Sequence, residues 1–196
     1  MGVKEFNRLI ALGMLRLENG SITLSNRKVA FMPIGVILHL HSSLSEKYGA
    51  EVADGIMFEA GRFQTASGSE KYMKNKENLG KLYNQLPRTG HPSLEMAREV
   101  LMFAGWGDHR SEHVAPDGSG LVIRTYNSPL ADEYLATVGK SSKPVCHYLR
   151  GLLAGSAEGA FKSEYEVEET SCKATGLCAE CVFRLSKKKA GKGAKP

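Results

Sequence analysis

Apolar positions along the chain recur at two spacings, and the change from one to the other outlines the fold. Phe6, Leu9 and Ile10 sit at helical spacing and predict a short amphipathic helix that ends near Gly13. Met14 to Leu17 and Ile22 to Leu24 then flank Asn19-Gly20, a pair suited to the positive φ angles of a tight turn, so the pattern predicts a hairpin. Val29 to Met32 adds a short strand. From Ile34 to Tyr48 the pattern turns helical, with Pro33 in the first turn and Gly49 as the stop. A second helix is predicted from about Glu51 to Thr65, with Val52, Ile56, Ala60 and Phe63 on one stripe. Gly55 and Gly61 weaken that helix and permit close packing. Residues 67–86 are polar and lysine-rich, and predict a solvated helix with loops.

Pro92-Ser93 opens another helix, with Ser93 as N-cap and Leu94, Ala97, Leu101 and Ala104 on one face. Gly105-Trp106-Gly107 ends it, and residues 108–120 are expected to be loop. Leu121 to Tyr126 reads as a strand and Asn127-Ser128-Pro129 as a turn. A helix follows from about Pro144 to Phe161, carrying the small residues Gly151, Ala154, Gly155 and Ala157. Tyr165 to Thr170 alternates as a strand does, and Cys181 to Leu185 makes the last one. Helices in the middle and strands at both ends predict an α+β fold, an antiparallel sheet packed against a helical layer in a single domain.

Charge refines this picture at one end. The chain of 196 residues has a net charge of +5, but residues 187–196 hold five lysines and no acid. Without them the body carries 21 basic and 21 acidic residues. The expected organisation is therefore a folded domain over 1–186 and a disordered basic tail over 187–196. A neutral body argues against a nucleic-acid-binding fold, leaving at most weak attraction through the tail. No apolar run reaches membrane-spanning length, and Arg16 interrupts the stretch from Leu9 to Leu17, with no small-residue cleavage site after it. Cysteines without a secretory signal predict a reducing, cytoplasmic setting.

Cysteine supplies the sharpest chemistry. Three of four cysteines fall in Cys172-Lys173-Ala174-Thr175-Gly176-Leu177-Cys178-Ala179-Glu180-Cys181, and Cys146 lies a helix-length upstream. Cys178-x-x-Cys181 has the spacing of a metal knuckle, and Gly176 can take positive φ and turn the chain back. Four converging thiolates would make a closed, structural zinc site. Buried thiols without metal are the plainer alternative.

Elsewhere the signals are weaker. His109-x-x-x-His113 has metal-compatible spacing but lies in the expected loop. His39 and His41 sit on different faces of a helix, which leaves one of them exposed. There is no G-x-S-x-G, phosphate loop or dinucleotide fingerprint, so nothing announces an enzyme. Phe103, Trp106, Tyr126, Tyr148 and Leu152, with Phe161, are expected to meet around the last helix. Each alone reads as core, but together they suggest an apolar ligand pocket, with space left by Gly151, Ala154 and Gly155.

Several motifs resemble the 4-vinyl reductase domain family. They are Asn127-Ser128-Pro129, the run from Pro144 to Gly155, Glu169-x-x-Cys172-x-x-x-Gly176 and Cys181-x-Phe183, supported by Gly20 to Leu24, Arg27, Pro33 and Gly61. The resemblance spans about residues 14–186. The family is similar in fold to Golgi-transport and haem nitric-oxide-binding ligand domains. It includes archaeal hydrocarbon-binding proteins, sensor domains of phenol-responsive activators and a protein of bacteriochlorophyll synthesis. In the phenol sensors zinc is held by three cysteines and a glutamate, which implies Cys146, Glu169, Cys172 and Cys181 here. The loop departs from the family pattern, with four residues between Gly176 and Cys181, one of them Cys178. The fourth ligand is thus either Glu169 or Cys178. The phenol-contacting histidine and tryptophan of the sensors have no clean counterpart.

The reading at this stage is a cytoplasmic domain that binds an aromatic or hydrocarbon-like small molecule, contains a structural zinc and signals to a partner. The resemblance also implies a possible homodimer. The competing readings are an enzyme or accessory acting on a tetrapyrrole-like substrate, and a scaffold holding a lipid chain or partner helix.

Overall fold

Five α-helices and two antiparallel sheets are built from the described residues of the computed structural model, which are 10, 15–24, 27–73, 92–115 and 117–188. A hairpin of β1 (Leu15–Glu18) and β2 (Ser21–Leu24) is extended by β3 (Arg27–Val29) into a small sheet. Asn19 and Gly20 turn it at φ of 49° and 74°, as that dipeptide dictates. The strand expected to reach Met32 ends at Val29. Helix α1 (Ile34–Tyr48) starts after Pro33 and stops at Gly49, which takes φ of 88°. Of the expected N-terminal helix only Ile10 is described, and it is helical. Residues 74–86 and 189–196 of the expected lysine-rich segment and tail lie outside the described residues.

Helix α2 (Ala50–Met73) is longer than its apolar stripe, and it turns a different side inward. Val52, Ile56 and Phe63 are exposed, at 51%, 43% and 73%. Ala53, Met57 and Gly61, one residue round, are buried. The periodicity locates the helix and its apolar stripe, but a small-residue face wins the core position.

The reason lies in the partner. Helix α5 (His147–Phe161) is buried on almost every side, from Leu149 through Ala157. It lies between α2 and the larger sheet, and its apolar surround fits a helix at the centre of a core. A Cβ placed on Gly151 would lie 2.0 Å from the Phe58 carbonyl oxygen, and one on Gly61 would lie 2.1 Å from that of Tyr148. Backbones at that separation exclude any side chain. Thr65 Oγ1 donates to the Leu152 carbonyl at 2.8 Å across the same seam. At its far end, Arg62 Nε donates to both carboxylate oxygens of Glu158 at 2.9 and 3.0 Å.

The larger sheet has the order β4-β5-β7-β6, from β4 (Asp108–Val114), β5 (Gly120–Tyr126), β7 (Cys181–Lys187) and β6 (Tyr165–Ser171). Leu121, Ile123, Phe183, Leu185 and Tyr165 form its inner face and join Leu149, Leu152, Leu153 and Ala157 in one core. Helix α3 (Pro92–Phe103) adds Leu94 and Leu101 to that core and ends at Gly105, with φ of 87°. Strand β7 runs one residue into the expected tail, since Lys187 pairs with Tyr165.

Two elements differ from the sequence expectation. Residues 108–114 form edge strand β4, where a loop is expected. Their polarity suits an edge, and an irregularity between Ser111 and His113 breaks the alternation that would have revealed them. Helix α4 (Pro129–Thr137) follows the Asn127-Ser128 turn with Pro129 at its first position, burying Leu130 and Ala131. It occupies residues for which the sequence predicts no element.

Candidate metal centre and ligand-binding face

Four acidic donors meet where α5 begins. Cys146 is the residue just before the helix, Glu169 lies near the end of β6, Cys172 follows that strand, and Cys181 opens β7. On β6 the inward positions are Tyr165, Val167 and Glu169, so strand parity carries the carboxylate into the core. A short 3-10 turn over Lys173–Thr175 and Gly176, at φ of 73°, fold the chain back towards Cys181. One ligand atom from each of Cys146, Glu169, Cys172 and Cys181 falls within 4.8 Å of every other, and all four residues are buried. Cys146 Sγ lies 4.0 Å from Cys172 Sγ and 3.7 Å from Cys181 Sγ.

Backbone donors already face this cluster. The Cys146 amide donates to Glu169 Oε2 at 3.1 Å, and the Lys173 amide to Cys181 Sγ at 3.4 Å. The other carboxylate oxygen, Glu169 Oε1, is buried with no partner. Without a cation the electrostatics are unfavourable. Burial, and then the neighbouring Cys172 sulfur, raise Glu169 to about 8. Cys146 is pushed up by its hydrogen bonds to Cys172 and Cys181 and by burial. A hydrogen bond with Cys146 pulls Cys181 down, but its bond to Cys172 and its burial outweigh this and leave it raised. Cys172 alone of the four is lowered, because Cys146 and then Cys181 donate to its sulfur. The protein by itself therefore stabilises one thiolate and keeps its neighbours protonated. A divalent cation would reverse that preference by compensating several negative ligands at once. The donor set, three sulfurs and an oxygen with one orphaned lone-pair site, fits zinc.

Cys178 stands apart from these donors. It is half-buried, beside Leu177, which is 90% exposed, and it is not one of the four gathered residues. Sequence reasoning misses Ser128, whose Oγ lies 3.5 Å from Cys146 Sγ, fully buried. The Asn-Ser-Pro motif contains that signal. An ion pair of 2.5 Å from Lys173 to Asp132 ties the ligand loop to α4.

The residues expected to line a pocket divide between two faces of the sheet. Trp106 and Tyr148 stack with ring centroids 5.2 Å apart, against the core that contains Leu152. Tyr126 alternates with inward Thr125 and Ile123, so it faces the opposite side, where the Arg110 guanidinium lies 4.7 Å above its ring. Phe103 is half-buried in the last turn of α3, and Phe161 packs at the end of α5 against Tyr165. The space expected beside Gly151 and Gly155 is filled by α2, since a Cβ on Gly155 would meet Arg62 O and Thr65 Oγ1 at 2.3 Å. An open depression of about 670 Å³ lies over β4, β5 and β7 around Glu112, His113 and Arg184, and none of the expected pocket residues lines it.

One polar residue that the sequence places in solvent points inward. His109 is 1% exposed, on the core side of β4. Its Nδ1 lies 2.9 Å from Thr125 Oγ1, and its Nε2 is buried without a partner. Burial, and then the charge of Arg98, lower its pKa to about 4, so the ring is neutral at physiological pH. Arg98 in turn donates to the His109 carbonyl at 2.8 Å and to buried Glu95 at 2.9 Å. His113 is exposed beyond the irregularity, so the i and i+4 histidines do not converge.

The comparisons with known proteins agree with this architecture. Residues 121–187, which contain all four gathered donors, match the 4-vinyl reductase (V-4-R) domain, and the resemblance to that family is borne out there. No curated protein matches the chain. The phenol-responsive sensory domain of the transcription activator PoxR, solved with phenol, superposes with a TM-score of 0.74 at 16% identity, covering 95% of this chain and 92% of that one. A vinyl-4-reductase family protein from Methanocaldococcus jannaschii gives a TM-score of 0.52 at 16% identity, covering 82% and 85%. A trafficking protein particle complex subunit 3 from Naegleria fowleri, covalently bound to palmitic acid, is less similar, with a TM-score of 0.49 at 15% identity over 81% and 98%. At such identities the likeness speaks for the fold.

Proposed function

We propose that the chain is a sensor domain for a small aromatic or hydrocarbon-like molecule, braced by a structural zinc on Cys146, Glu169, Cys172 and Cys181. The observation that carries the reading is the superposition, over nearly the whole chain, on a sensory domain that responds to phenol. The zinc is supported by the buried donor set and by the unpartnered Glu169 Oε1. Of the two candidates for the fourth ligand, geometry favours Glu169 over Cys178. Such a site, closed by four protein ligands, contributes folding energy and holds α5 against β6 and β7.

His109 is the proposed polar anchor of the ligand. A neutral, buried imidazole with a free Nε2 can give or take one hydrogen bond, which suits a hydroxyl on an otherwise apolar molecule. Trp106 and Tyr148 are the proposed aromatic contacts, with Phe103 and Leu152 as apolar lining. Tyr126 is not included, because it faces the other side of the sheet.

An assembly role is favoured by a separate observation. Val36 and Leu40 on α1 and Val52, Ile56 and Phe63 on α2 are exposed apolar residues at helical spacing. Exposed apolar surface of this kind marks an interface. We assign it to a homodimer, or to the partner helix that receives the signal.

Native mass spectrometry of the purified protein, followed by calorimetric titration with phenol and with linear hydrocarbons, tests the ligand. Binding of a phenol that weakens strongly in His109→Phe supports the reading. No binding of either class, in protein with full zinc, overturns it.

A further inference from the structure

A second group of metal-compatible side chains lies on the other side of the α5 N-terminus. We propose that His41, Asp54 and His147 form a second metal site, for a divalent transition ion of the zinc, cobalt and nickel class. The three residues come from three helices, α1, α2 and α5, and one ligand atom from each lies within 4.8 Å of the others. His41 Nε2 is 2.7 Å from Asp54 Oδ1, and His147 Nε2 is 3.2 Å from the same oxygen. Metal bonds of about 2.1 Å in tetrahedral geometry put ligand atoms about 3.4 Å apart, so small side-chain movements suffice to admit an ion. The two imidazole centroids are 5.3 Å apart.

The chemistry differs from that of the first centre. Two imidazoles and one carboxylate are borderline and hard donors, suited to zinc, cobalt or nickel but not to the soft ions that thiolates select. The side chains are 24%, 33% and 13% exposed, in the order His41, Asp54, His147. With three protein ligands and access to solvent, the ion would keep at least one position for water or another ligand. The first centre is closed and buried, whereas this one is open and suited to exchange. His147 follows Cys146 directly, so the two ions would grip successive residues at the start of α5 from opposite sides of the chain.

The competing view is that Asp54 simply bridges two histidines by hydrogen bonds. Cobalt separates the two. Full-length protein saturated with zinc is titrated with Co²⁺ under reducing, anaerobic conditions. We expect about one further ion per chain, with visible d–d bands and no thiolate-to-cobalt charge-transfer band. Loss of an outer-shell partner already costs 10–100-fold, so Asp54→Asn or His41→Gln is expected to weaken cobalt by about a hundredfold or more. Zinc content and far-ultraviolet dichroism of these variants should match wild type, which separates loss of this site from misfolding and from failure of the thiolate centre. The proposal is overturned if no cobalt binds beyond the thiolate site. It is equally overturned if both variants bind cobalt as tightly as wild type.

Discussion

Glu169 holds the first amide of the central helix and points its second oxygen at nothing: Oε2 accepts from the Cys146 N–H at 3.1 Å while Oε1 is buried and unpartnered. One carboxylate thus serves both as a helix-start acceptor and as a candidate ligand. Glu169→Gln should keep the amide bond but lose most zinc affinity, whereas Cys178→Ser should retain about one zinc per chain. Elemental analysis of both variants decides. Full zinc in the glutamine variant, with loss in the serine variant, would exchange the assignments.

Removal of the ion should be costly to the fold. Structural zinc contributes on the order of 10 kcal/mol of apparent binding energy, which folding cannot spare. Chelation, or Cys172→Ala, should lower Tm sharply in calorimetry. An unchanged Tm after complete metal removal would make the cluster an ordinary group of core thiols.

His109 predicts a pH dependence of defined sign. Its pKa is lowered from 6.5 to about 4 in the folded chain by burial and by Arg98. The unfolded chain therefore binds more protons between those values. Its contribution is fully present above about pH 6.5 and is lost as pH falls towards 4, by about 3 kcal/mol. Urea midpoints across this range, compared with His109→Gln at each pH, isolate the term. Parallel curves for the two proteins would refute it.

The seam between α2 and α5 makes two glycines of one helix behave oppositely. Gly55→Ala meets nothing within 4 Å and should stabilise by about 0.5–1 kcal/mol through helix propensity. Gly61→Ala places a methyl 2.1 Å from the Tyr148 carbonyl oxygen and should cost about 3 kcal/mol or more. Denaturant melts of both test the close approach, and equal effects would contradict it.

Self-association should depend on the exposed face of α1 and α2. Ile56→Glu with Phe63→Lys should leave secondary structure intact and shift sedimentation towards monomer. A wild-type monomer at every concentration would remove the homodimer and leave the face to a different partner.

Much of this is readable in the residues. Asn19-Gly20, Pro33, Gly49 and Gly105 punctuate the chain through backbone angles that few other residues adopt, so the boundaries they set are found where expected. The cysteines and Glu169 are legible through spacing and resemblance, and Cys146, Cys172 and Cys181 do converge with the glutamate. The orientation of α2 is not legible. Its exposed stripe is more apolar than its buried one, and only the backbone of α5 explains the preference for Ala53, Met57 and Gly61. Strand β4 is obscured because its outward residues are charged and its alternation breaks at Glu112. Consequently His109 reads as solvated, although its parity with Thr125 places it in the core.

Two helices whose backbones touch cannot slide or separate without losing the whole seam. Gly61, Gly151 and Gly155 weld α2 to α5, and the weld begins one turn from Cys146. A tilt of α5 at its metal-braced end must therefore swing α2 with it. The outer side of α2 carries Val52, Ile56 and Phe63, so such a tilt would be delivered as a lever stroke to whatever rests on that surface.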